Sequence, residues 1–218
     1  MKLRTTTSRC AALTGMLAAT AVLTAPHVMA AGAPVSAGPA RSAVEAAGPR
    51  GGLGPLTELV IERIRFGDDV AAAKYGTDSP IEDPAREAQV LEQVRQQAGR
   101  AGVDPEVAVA FFRDQITASK IVQRGLFARW AAHPDEAPTT RPDLGRIREQ
   151  LDRLTTALLD ELEETARVRE RPLACAAHLA LARGAGAARH RLDGLHRHAL
   201  TTATGSVCRA GGVTAPPV

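Results

Sequence analysis

The sequence predicts an all-α protein, a helical bundle of about six helices with a disulfide-stapled C-terminal helix pair. Apolar residues recur at intervals of three and four rather than alternating, and no segment has the texture of a strand. Aromatic residues make up only 3% of the 218 residues, while Ala and Leu are abundant, so the core must be built from helical stripes of aliphatic side chains.

Taken in order, residues 1–30 read as a secretory signal peptide. Lys2, Arg4 and Arg9 precede an apolar run from Ala11 to Ala25, followed by small residues at Val28-Met29-Ala30. That run is shorter than the roughly 20 residues a membrane helix needs, and no later stretch is long enough either. Residues 31–54 are dominated by Ala, Gly, Pro and Ser and read as a flexible linker, because they offer too little apolar surface to offset the entropy of ordering. Residues 55–218 then make one domain.

Within that domain the first helix is expected from about Leu56 to Tyr75, stopped near Gly76. The second starts with Asp83 as N-cap and Pro84 at the first helical position, and ends near Gly102. Asp104-Pro105-Glu106 repeats the start signal for a third helix reaching towards Trp130, closed by a Pro-rich loop from His133 to Pro142. The fourth begins near Asp143 and carries the stripe Leu144, Ile147, Leu151, Leu154, Leu158 and Leu162. Beyond Pro172, two shorter helices are expected to flank a break at Gly184/Gly186, each carrying one cysteine.

Composition excludes some functions. The whole chain has 27 basic and 24 acidic residues, but three of the basic ones and none of the acidic ones lie in residues 1–30, so the remainder is balanced at 24 of each. Nothing in a neutral domain calls for nucleic acid or an anionic membrane as partner. Cys175 and Cys208 are the cysteines outside the export signal, and in an oxidising compartment a disulfide between them is the natural reading.

Polar residues placed on otherwise apolar faces are the candidates for chemistry. Arg63 and Lys74 are eleven residues apart, which at about 100° per residue returns them to within about 20° of one direction. The turn into the second helix holds Asp83, Arg86 and Glu87; a first helical turn favours acids, so Arg86 is electrostatically misplaced unless it simply pairs with Glu82 or Asp83. Gln115, Ser119 and Gln123 form a polar line on the third helix. Arg148 stands beside the apolar stripe of the fourth, able to reach inward or to snorkel to water.

Together these motifs resemble the secreted, all-helical (gamma) class of chorismate mutases. The resemblance spans about Leu56 to Cys208 and rests on ERIRFGDDVAAAK, SPIEDPARE, DQITASKIVQRGLFARW, DLGRIREQL and ALTTATGSVC, in that order, with the cysteines separated as the family's disulfide pair is. It implies rearrangement of chorismate to prephenate without metal or cofactor, in the supply of precursors for aromatic amino acids. By position, it implies that Arg63, Arg86 and Arg148 hold the two substrate carboxylates, and that Lys74 and Gln123 act on the ether oxygen. Asp83 and Ser119 would line the pocket and Glu87 would receive the substrate hydroxyl. Some relatives carry Glu at the Gln123 position, and the position of Glu87 varies in the family. The resemblance implies a secreted or periplasmic enzyme and leaves the oligomeric state open, a homodimer included.

Two rivals stand beside this reading. One is a metal site from Cys175, His178, His190, His196 and His198, whose spacing matches no common zinc pattern. The other is a catalytically inactive exported helical module that binds an acidic metabolite or a protein, which predicts a broken set of cations, whereas every expected cation is present.

Overall fold

Aspartate and proline set where the helices of this chain begin. The computed structural model describes residues 52–209, which form seven helices and no strand. In order these are α1 (Gly54–Lys74), α2 (Pro84–Arg100), α3 (Pro105–Ala132), α4 (Leu144–Glu164), α5 (Ala166–Arg169), α6 (Pro172–Arg189) and α7 (Gly194–Ala203), with a single 3-10 turn at Pro134–Glu136. The side chains of Asp83, Asp104, Asp143 and Asp193 each accept from a backbone N–H in the first turn of α2, α3, α4 and α7, satisfying donors that have no partner inside the helix. Gly76 and Gly102, at φ of +68° and +75°, carry the chain out of α1 and α2 in the left-handed conformation, where glycine pays no Cβ penalty.

α3 runs through the middle. It packs against α1, α2 and α7, while α1 also meets α4 and α6. Leu56, Val60, Ile61 and Ile64 of α1 meet Phe111, Phe112, Ala118 and Val122 of α3 in one core, closed by Leu158, Leu159 and Leu162 of α4 and by Ala199, Leu200 and Ala203 of α7. Each large aliphatic or aromatic side chain buried this way contributes about 1.5–3 kcal/mol. Cys175 of α6 is bonded to Cys208, with the two Cα atoms 5.6 Å apart, which ties α6 to the chain leaving α7.

Four details differ from expectation. Gly184 and Gly186 do not break the chain: α6 runs through both, and the break comes at residues 190–193. Gly186 is there for contact, since a Cβ on it would lie 2.6 Å from Cδ1 of Ile61 on α1. Cys208 lies in the turns after α7 rather than on a helix, and one short helix, α5, was unforeseen. At the front of the domain, Leu53 belongs to the core at 1% exposure and Gly54 opens α1, so the folded unit takes in the last residues assigned to the linker. The segments read as signal peptide and as linker up to residue 51 lie outside the described residues.

Candidate active site

Helices α1, α3 and α4, with the first turn of α2 and the loop before it, wall a cleft of about 260 Å³. All eight residues singled out in the sequence line it: Arg63 and Lys74 from α1, Asp83, Arg86 and Glu87 from the start of α2, Ser119 and Gln123 from α3, and Arg148 from α4. The helical spacing explains the α1 pair, and the N-cap at Asp83 explains the α2 group, because capping fixes where that turn begins. Gly67 lets α1 and α3 approach at the cleft, a Cβ there lying 3.2 Å from Cγ1 of Val122.

The cations are held but unpaired. Arg63 packs its guanidinium over the Phe112 ring at 5.5 Å and donates to the Leu151 carbonyl at 3.4 Å. Part of its surface remains accessible because it faces the cleft, while dense packing around the guanidinium brings its pKa down to about 10, with Asp152 pulling weakly the other way. Lys74 donates to the Pro80 carbonyl at 2.8 Å. Burial lowers its pKa, Asp83 pulls it back up, and Arg148 pushes it down again. Arg86 donates to the neutral side chain of Gln89 at 2.8 Å instead of to Glu82 or Asp83, so the simple pairing open to it in the sequence does not form. Arg148 remains exposed at the cleft wall. None of Arg63, Lys74, Arg86 and Arg148 forms an ion pair among the described residues.

The neutral polar groups face them. Gln123 is 4% exposed, donates Nε2 to Ser119 Oγ at 3.1 Å, and leaves its buried Oε1 without a partner among the described residues. Gln115 also reaches the cleft but donates to the Ala203 carbonyl at 2.7 Å, so its polarity anchors the end of α7. Sequence reasoning missed Lys120, Asp152 and Thr155, which line the cleft too. Lys120 was legible in principle, since it sits three residues before Gln123 on the same face of α3.

The arrangement can grip a small dianion and can offer Lys74 and an uncharged amide to one oxygen of it. No histidine or cysteine lines the cleft. Three of the five residues of the rival metal reading are used elsewhere, Cys175 in the disulfide, His190 on Glu58 and His196 on Asp68 and Asp193, and no three His, Cys, Asp or Glu side chains among the described residues are grouped so as to hold a metal ion.

Comparison with known proteins agrees with this geometry. Residues 55–124 match the family described as chorismate mutase type II. The chain is 37% identical over 157 residues to a secreted chorismate mutase of Mycolicibacterium smegmatis, covering 72% of this chain and 86% of that one. A secreted chorismate mutase of Mycobacterium tuberculosis is 34% identical, with 72% and 79% covered. Among solved structures, the chorismate mutase of Burkholderia phymatum superposes with a TM-score of 0.69 at 36% identity, covering 72% of this chain and 96% of that one. That of Burkholderia thailandensis gives 0.68 at 40% identity, with 72% and 98% covered. With relatives of this name 37% and 34% identical over 157 and 158 residues, 72% of its length, this chain belongs to the chorismate mutase family.

Proposed function

We propose that the cleft converts chorismate to prephenate, with Arg63, Arg86 and Arg148 gripping the two substrate carboxylates, Lys74 and Gln123 at the ether oxygen, Ser119 and Asp83 shaping the wall, and Glu87 accepting from the substrate hydroxyl. The observation that carries the reading is four cations converging on one cleft, free of ion pairs among the described residues, opposite a buried amide.

The chemistry asks for little else. A [3,3] rearrangement breaks a carbon–oxygen bond as it forms a carbon–carbon bond, with no nucleophile and no proton transfer. Planar guanidinium forks hold carboxylates bidentately, and holding both ends of the dianion folds the substrate towards a chair-like shape. As the ether bond lengthens, negative charge grows on its oxygen, so Lys74 and Gln123 stabilise the transition state more than the ground state. Partial burial of Lys74 strengthens that interaction, because less water screens the ammonium as the charge develops. All these groups come from one chain, so the reading needs no second copy.

Export follows the same reasoning. The relatives are named secreted enzymes, no helix among the described residues is long and apolar enough to cross a membrane, and residues 1–30 have the pattern of a cleavable signal followed by a linker.

The test is the loss of chorismate absorbance with purified protein, with and without chelator, beside Lys74→Ala. Expected is turnover indifferent to chelator and a fall of roughly 10²–10³-fold in kcat for the variant. A folded parent without turnover would leave an exported binding module instead.

A further inference from the structure

One cation of the cleft has no role in the reading above. Lys120 on α3 lines the cleft with its side chain 18% exposed, and its Nζ donates to both carboxylate oxygens of Glu87, at 3.1 and 3.0 Å. The same Nζ lies 3.1 Å from Oε2 of Glu82, whose other oxygen is held by Arg124.

The start of α2 therefore brings three carboxylates, Glu82, Asp83 and Glu87, close to cations that the substrate needs. A carboxylate of the protein's own beside Arg86 or Lys74 is a tethered competitor for the carboxylates of the substrate, always present and never diluted. Asp83 is engaged in capping, accepting from the backbone N–H of Arg86 at 3.0 Å. The other two are both taken by Lys120, from the neighbouring helix, and Arg86 is left with only the neutral Gln89.

We propose that Lys120 is a positioning residue that sorts charge in the cleft. It sequesters the carboxylates of Glu82 and Glu87, which leaves Lys74 and Arg86 available to the substrate, and it fixes Glu87 where the substrate hydroxyl arrives. The proposal rests on the mutase reading of the cleft.

A double-mutant cycle in steady-state kinetics tests it, with Lys120→Met, Glu87→Gln and the pair. Lys120→Met is expected to raise KM about tenfold with kcat within about twofold, and Lys120→Arg to bring KM back to within about threefold of the parent. In the Glu87→Gln background, Lys120→Met should change KM less than about twofold, because no carboxylate is released at position 87 and Arg124 still holds Glu82. An unchanged KM in Lys120→Met, or the same rise in both backgrounds, would overturn the proposal, the second outcome meaning that Lys120 touches substrate itself or only supports the helices. Lys120→Gln repeats the comparison should the Met variant fold poorly. Calorimetric binding of malate to the same four proteins is a readout independent of turnover. Weaker binding on Lys120→Met that vanishes in the Glu87→Gln background supports charge sorting even if the parent does not turn chorismate over, and equal binding by all four overturns it.

Discussion

A buried amide and a buried acid differ in what they do with pH. Gln123 is almost fully buried and carries N–H donors at every pH. A carboxyl in the same place donates only while protonated, and burial raises its pKa. The parent should therefore keep nearly level kcat/KM from about pH 5 to 8, and Gln123→Glu should lose on the order of tenfold between those limits as the acid ionises. Superimposable profiles would remove Gln123 from the ether oxygen. At this scale the sequence was most legible where a residue broke a local rule: Arg86 in a helical turn that favours acids, and Arg63 and Lys74 repeating one direction on α1. Lys120 broke none, since a lysine on a helix is ordinarily a solvated charge. Its partners Glu82 and Glu87 are more than thirty residues away in the chain, and only packing of α2 on α3 brings them to it.

Between elements, α7 is clasped to α1 through one side chain. As the imidazolium, His196 donates through both ring nitrogens, Nε2 to Asp68 of α1 at 2.8 Å and Nδ1 to its own N-cap, Asp193, at 2.6 Å. The Asp68 hydrogen bond, opposed by burial and aided by Asp193, raises the His196 pKa to about 9. A pKa raised in the folded state stabilises fully below the unfolded value of about 6.5 and is lost as pH climbs through 9. Because both carboxylates are partly in water, the contribution is about 1–2 kcal/mol. The parent should thus lose that much stability between about pH 6.5 and 9.5, measured by urea denaturation, and His196→Ala should lose little over the same range; equal slopes would dismiss the clasp. Asp68 could as well be a solvated surface charge, and nothing in a linear sequence distinguishes that from a bridge to α7. Helix starts, by contrast, were readable at α2, α3 and α4 because an N-cap is a local hydrogen bond. The imagined break at Gly184 and Gly186 failed for the opposite reason: a glycine that interrupts a helix and a glycine that lets Ile61 approach look alike until α1 is beside α6.

For the whole molecule, the bond between Cys175 and Cys208 closes 33 residues of chain that hold α6 and α7. Loop closure of that order restricts the unfolded chain by about 2–4 kcal/mol. Reduction, or Cys208→Ser, should lower Tm by roughly 10 °C at neutral pH, since each kcal/mol moves a domain of this size by about 2–4 °C. Calorimetry with and without reductant checks this, and an unchanged Tm would mean that packing alone holds α6 and α7 in place. The sequence by itself determined the all-helical class, the starts of α2, α3 and α4 and the shared direction of Arg63 and Lys74, because helical periodicity, capping and side-chain spacing act over a few residues; the cysteine pairing and the other site residues were legible through composition and family resemblance. Tertiary structure alone decided that α6 is continuous, that Asp68 reaches α7, that the four cations stand without carboxylate partners, and that Lys120 takes Glu82 and Glu87. Each of those is a contact between segments far apart in the chain, and such a contact exists only once burial of the common core has set the helices against one another.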